Sequence, residues 1–178
     1  MYTIIRLSSI IFFMTFILSS CDKDPLDACA EDPTCEYFRC KVNGEWWTPD
    51  CEDGPLFGCR HTDVQYYRDL NGGGLTMNVK KESQQSGFLL SANNIQSINT
   101  KYEIYRKNGD ITRYYEDENK DKVRERYYID SLAENYIIFD KIDTVNFILQ
   151  GKFYFEGIDS SGIRKTITDG EFRHRYRF

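Results

Sequence analysis

From Tyr37 onward, apolar and polar residues alternate with a period of two, the signature of strands that bury one face. Phe38, Cys40 and Val42 alternate with Arg39 and Lys41. Asn43-Gly44 then supplies the two residues of a type I′ turn, whose positive φ values suit Asn and Gly, and Glu45-Trp46-Trp47-Thr48 returns as far as Pro49. The same grammar recurs along the chain. Residues 64–67 run into Asn71-Gly72-Gly73-Gly74 and return through Leu75, Met77 and Val79, and residues 84–87 turn into Phe88-Leu89-Leu90. The less regular stretch 93–99 reads as a helical turn. Residues 102–107 and 111–115 flank Asn108-Gly109 as another hairpin, and strands at 123–130 and 136–142 are joined by Ser131-Leu132-Ala133-Glu134.

The strongest strand signal is the longest. Val145, Phe147, Leu149, Gly151, Phe153 and Phe155 occupy every second position, so one face is core, and Gly151 predicts a bulge or bend. Ser160-Ser161-Gly162 turns the chain into Ile163, Lys165 and Ile167. Asp169-Gly170 reads as a final tight turn, after which Phe172, His174, Tyr176 and Phe178 share one face. No 3.6-residue periodicity outlasts one turn after residue 20. The pattern therefore predicts an all-β fold, an antiparallel meander of roughly nine or ten strands forming a β-sandwich or partly open β-barrel to limit its free edges.

The N-terminus breaks this pattern. Arg6 precedes an apolar run from Leu7 to Leu18, interrupted only by Ser8, Ser9 and Thr15. A membrane span needs roughly 20 apolar residues, so the shorter run reads as a secretory signal. Leu18-Ser19-Ser20-Cys21 at its end resembles the bacterial lipoprotein signal, which implies cleavage before Cys21 and lipid on its thiol. Each buried methylene adds about 0.8 kcal/mol, so two or three acyl chains anchor stably. Asp22-Lys23-Asp24 resembles the acidic signals that export lipoproteins of Bacteroidota-type bacteria to the surface, although a solvated tether accounts for it equally. The expected organisation is a signal peptide at 1–20, a lipidated tether at 21–36 carrying Pro25 and Pro33, and one domain at 37–178. Those last residues, about 140, suffice for a single core.

Charge narrows the partners. The chain has 23 Lys and Arg against 28 Asp and Glu; removing residues 1–20 takes Arg6 and no acid, leaving 22 against 28, a net charge of −6. That opposes nucleic-acid binding, which needs a basic face. Apart from Cys21, the cysteines Cys29, Cys35, Cys40, Cys51 and Cys59 crowd the first third of the chain, as expected for disulfide staples in an oxidising compartment. Five is odd, so one thiol is left over. Proximity pairs Cys51 with Cys59 and Cys29 with Cys35, leaving Cys40 on a strand. Zinc is disfavoured because no C-x2-C pair occurs and His61 stands alone beside Cys59.

The lipobox, the segment Phe38-Arg39-Cys40-Lys41-Val42-Asn43-Gly44-Glu45-Trp46-Trp47-Thr48-Pro49, and Gly151-Lys152-Phe153-Tyr154-Phe155 with Ile167-Thr168-Asp169-Gly170-Glu171-Phe172 resemble the small all-β lipoproteins common in Bacteroidota, a family of unknown function. The resemblance covers both ends of the domain. It implies a fold and an envelope address, most simply the outer membrane, and transfers no catalytic residue.

Candidate chemistry is sparse. His61 and His174 are far apart in sequence, and His174 alternates with Phe172 and Tyr176 as a core or rim residue would; neither triad order nor a zinc motif appears. Asp117, Asn119 and Asp121 begin like a calcium loop, but Lys122 replaces the turn glycine and Tyr128 stands where the bidentate Glu belongs. No cofactor is expected. The aromatic doublets are the best hint. Trp46-Trp47, Tyr66-Tyr67, Tyr114-Tyr115 and Tyr127-Tyr128 lie on predicted strands, where neighbours face opposite ways. Trp46, Trp47, Tyr67, Tyr115 and Tyr128 are thus candidate ligand contacts, against the alternative that outward tyrosines only support strand pairing. The expected function is a lipid-anchored, non-enzymatic envelope binding protein that contacts a protein partner; the alternatives are a glycan-binding module using the outward aromatics and an envelope hydrolase.

Overall fold

The computed structural model describes Cys29, Asp32 and residues 35–50, 61–69, 72–104, 113–116 and 125–177. The chain divides into two units, Met1–Pro33 and Thr34–Phe178, and every strand among the described residues belongs to the second. Among the described residues these are β1 (Tyr37–Val42), β2 (Glu45–Trp47), β3 (Thr62–Asp69), β4 (Gly72–Lys81), β5 (Ser86–Ile95), β6 (Lys101–Glu103), β7 (Arg113–Glu116), β8 (Glu125–Ile129), β9 (Tyr136–Asp143), β10 (Ile148–Ile158) and β11 (Arg164–Arg175).

All pairings between these strands are antiparallel, in the order β2-β1-β11-β10-β8-β7-β5-β4-β3. β10 is the spine. One edge carries β11 along its length, while the other is shared: β9 takes Ile148 to Tyr154 and β8 takes Gly157 and Ile158. β6 adds to the far side of β9. The sheet does not close, but its β3 edge is capped at Gln65, because Arg177 donates to Val64 O at 3.0 Å and accepts from Tyr66 N at 3.1 Å. Covering an edge removes a template for foreign strands. The all-β reading therefore holds, as an open sheet of sandwich or barrel type.

Inward positions form one aromatic-rich core. Phe38, Phe88, Phe153, Phe155 and Phe172 are buried, with Phe38 to Phe153 at 5.1 Å between ring centres and Phe88 to Phe155 edge-on at 6.2 Å. Such tilted and edge-to-face pairs suit the ring quadrupole, and each buried ring contributes about 1.5–3 kcal/mol by transfer alone. The Asn43-Gly44 turn forms as expected, with φ of 51° and 88°. Asn43 also fastens it to β11, exchanging backbone and side-chain bonds of 2.9 Å with Thr166.

Several expectations need correction. Val145 and Phe147 lie in the turn before β10, not in the strand: Asp143 accepts N–H groups from Val145 and Asn146 at 3.0 and 2.9 Å, and that cap outcompetes the ladder. Asp169-Gly170 is not a turn, because β11 runs through it as a bulge with Asp169 at φ 50°. The expected turn at Asn108-Gly109 lies outside the described residues; of its flanks, the described β6 pairs with β9, and β7 with β5 and β8. Residues 93–95 extend β5 in place of a helical turn, with Asn93-Asn94 bulged opposite Gly74 and Asn94 at φ 58°. The register expected to break at Gly151 does shift there, but the extra residue is Asp140 of β9 and β10 runs on through Gly151, where a Cβ would meet Ile138 O at 2.2 Å.

Candidate functional site

Each aromatic doublet splits between inside and outside, as strand alternation demands. Trp47 is 3% exposed, so it must be withdrawn as a ligand contact. Its indole lies 4.7 Å from the Phe88 ring, edge-on, and its Nε1–H donates to Ser86 Oγ at 2.9 Å, which satisfies its one polar atom inside the core. Tyr66, Tyr114 and Tyr127 are likewise buried. The outward partners do different work. Tyr67 and Tyr115 stand opposite Gly74 and Gly87 on neighbouring strands and lie over them: a Cβ on either glycine would come within 2.4 Å of the tyrosine. They cover side-chain-free backbone, a cross-strand role of the kind aromatics take beside glycine. Tyr128 is half-buried on β8, paired with Arg113 and Ile158.

Trp46, 54% exposed against 53% for Tyr67, is the doublet residue that flanks an open groove of about 590 Å³ on the outer face of the sheet. Two registered rows of outward side chains build this groove. One runs Trp46, Lys41, Thr168 and then, past the bulge, Tyr154 and Tyr136; the other runs Arg39, Glu171 and Lys152. From β2 through β1, β11 and β10 to β9 is four inter-strand steps of about 4.8 Å, so the groove is ~19 Å long. Its far end is a stacked pair, Tyr136 and Tyr154, with ring centres 5.8 Å apart and planes 21° apart. Lys101 Nζ lies 4.0 Å from the Tyr136 ring centre.

The bulge makes the concavity. Asp169 and Gly170 together oppose Cys40, and Thr168 and Asp169 together oppose Tyr154, so β11 carries one extra residue relative to both neighbours. Gly170 then sits at the groove floor over Phe153, where a Cβ would approach Phe153 O at 2.6 Å. Bulges recur beside functional sites because they re-aim side chains. Here the displaced Asp169 takes Lys41 Nζ at 2.9 Å.

Charges in the groove are arranged in pairs. Arg39 donates from Nε and Nη2 to Glu171 Oε2 at 3.1 and 2.9 Å. Arg39 and Lys41 also lie 4.9 and 4.8 Å from the Trp46 ring centre, within cation–π reach. Lys152 forms no ion pair among the described residues, so three cations face two anions and the groove is close to neutral. Tyr154 donates to Glu156 Oε1 at 3.0 Å; partial burial first, and that carboxylate second, raise its hydroxyl above its ordinary value. The site thus offers aromatic faces beside fixed, directional donors and acceptors.

The remaining candidates lie elsewhere. Cys29 and Cys35 are both disulfide-bonded, and Cys40 is a free, buried thiol whose pKa burial pushes up. Cys21, Cys51 and Cys59 fall outside the described residues, as do Asp117, Asn119 and Asp121. His174 is buried, with Nδ1 3.0 Å from Glu36 Oε2 and no partner at Nε2 among the described residues. His61, distant in sequence, comes near enough for burial first, and His174 second, to hold it below its ordinary value. Among the described residues no group of three or more His, Cys, Asp or Glu is placed to hold a metal ion.

Sequence reasoning missed Tyr136, Tyr154 and Lys152. The signal was present, since Phe153 and Phe155 facing inward put Tyr154 outward, but attention to doublets passed over single outward aromatics. No protein-family model, curated protein or solved structure matches this chain.

Proposed function

We propose that the protein is a non-catalytic binding domain of the cell envelope, anchored through lipid on Cys21, whose groove takes a saccharide. The observation that carries this reading is the exposed Trp46 ring at one end of a groove closed at the other by the Tyr136–Tyr154 stack. Apolar C–H faces of sugar rings lie well on aromatic faces, whereas their hydroxyls need donors and acceptors held in place. Arg39, Lys41, Asp169 and Glu171 are held so by their mutual ion pairs. The volume falls in the range of ligand clefts, about 300–1,000 Å³. Near-neutrality suits a neutral or singly anionic sugar better than a polyanion.

A protein partner is the second reading, favoured by Leu132, which stands 92% exposed at the β8–β9 turn. Glycan-array screening of the full chain beside its Trp46→Ala variant separates the two. Saccharide binding lost in the variant supports the groove. A silent array, with a stoichiometric envelope protein captured equally by both forms, refutes it.

A further inference from the structure

The β unit receives the preceding chain at one identifiable end. Tyr37, the first residue of β1, pairs with Arg173. Arg175, two positions on, pairs with Ile148, which in turn pairs with Asp143. The turn 144–147 between β9 and β10 therefore lies at the same end of the sheet as Tyr37, where β1 begins.

That turn presents apolar side chains to solvent. Val145 is 82% exposed and Phe147 is 41% exposed. Their display is rigid, since Asp143 accepts three hydrogen bonds from Val145 and Asn146, and Phe147 O accepts Tyr176 N–H at 2.9 Å. Phe147 is held at φ 57°, a region seldom used by bulky residues. Ile98, also exposed, sits in the bend before β6, toward the same end of β9, where Asn99 N–H bonds Phe139 O. Around this end Lys141 pairs with Asp143 at 3.1 Å, Arg175 with Glu36 at 4.0 Å, and Arg177 with Asp63.

We propose that this end of the domain rests on the lipid surface, with Val145 and Phe147 seated at the boundary between headgroups and acyl chains. The contact rests on the anchor at Cys21: two apolar tips bind a bilayer weakly alone, but a tethered domain meets it at high effective concentration. Strands then rise from the membrane, and the groove, which crosses them, runs parallel to it. Leu132 and Ile163 mark the opposite end, beside the turns that follow β8 and β10.

The test uses the full, acylated chain in vesicles of phosphatidylethanolamine and phosphatidylglycerol containing spin-labelled lipid. Val145→Trp and Leu132→Trp are compared with the unsubstituted protein. Flotation with the vesicles reports the anchor, and the added tryptophan emission reports docking. The expected result is a blue-shifted, quenched signal from position 145 and an unshifted, unquenched one from 132. Floating protein in which position 145 is unquenched, or both positions are quenched alike, overturns the docking. Protein that does not float overturns the anchor, and the docking with it.

Discussion

Lys41 holds its ammonium 4.8 Å from the centre of the Trp46 ring, the residue opposite it across the β1–β2 ladder. An exposed contact of this kind contributes about 0.5–1 kcal/mol. Trp46→Ala should therefore lower unfolding free energy by no more than about 1 kcal/mol. Trp47→Ala, one residue on, empties a core position and should cost about 3–5 kcal/mol. Urea denaturation of the two variants checks the contrast, and equal losses would contradict the assignment of one ring to the surface and the other to the core.

Gly170 carries the shape of the groove. Its Cβ-less backbone lets Phe153 approach, and an added methyl would sit 2.6 Å from Phe153 O and 2.7 Å from its ring. Gly170→Ala should destabilise by about 1–3 kcal/mol, the usual cost of overpacking. Gly44→Ala meets no atom within 4 Å but must hold φ near +88°, so its cost should be about 1–2 kcal/mol, from backbone strain alone. Thermal unfolding of both variants tests this, and saccharide binding should fall in Gly170→Ala while persisting in Gly44→Ala.

Glu36 gives the protein an acid sensitivity with a definite sign. Its hydrogen bond with His174 Nδ1, at 3.0 Å, is the largest influence holding its carboxyl below the ordinary value of 4.5. A depressed folded pKa contributes stability above the unfolded value, and that contribution is lost as pH falls through the folded one. Glu36→Gln should therefore lower the melting temperature at neutral pH, and the gap to the natural protein should narrow as pH drops below 4.5. Melting curves across pH 3 to 7 check it; a gap that widens on acidification would reverse the sign.

In the proposed reading Cys21 carries the address. Cys21→Ser should abolish acylation and release the protein from membranes, read by metabolic labelling with palmitate and by fractionation. Continued membrane attachment of an unlabelled variant would overturn the envelope reading.

How much of this was legible beforehand depended on whether the physics was local. Alternation placed Phe38, Phe153, Phe155 and Phe172 inside correctly, because a strand has only two faces. Asn43-Gly44 was readable as a turn for the same reason: its demand for positive φ is written in two residues. Asp169-Gly170 makes a similar demand, yet a bulge satisfies it as well as a turn does, and which one forms is set by the neighbours β1 and β10. The groove was not legible at all. Trp46, Lys41, Thr168, Tyr154 and Tyr136 form one row only through the register of four separate ladders, and register is a property of pairing that no single segment carries. At Tyr67 and Tyr115 the outward tyrosine also covers a glycine opposite it, a second role that alternation alone does not reveal.

The proposed saccharide should meet the groove at Trp46. The most direct measurement is a titration of isotope-labelled protein with the best array saccharide, followed by amide and indole NMR shifts. The expected changes concentrate at the Trp46 indole N–H and at the amides of Thr168, Gly170 and Tyr154, with the Trp47 indole N–H, bonded to Ser86 in the core, unmoved. Shifts centred at Tyr67 or Leu132, with the groove silent, would contradict the account.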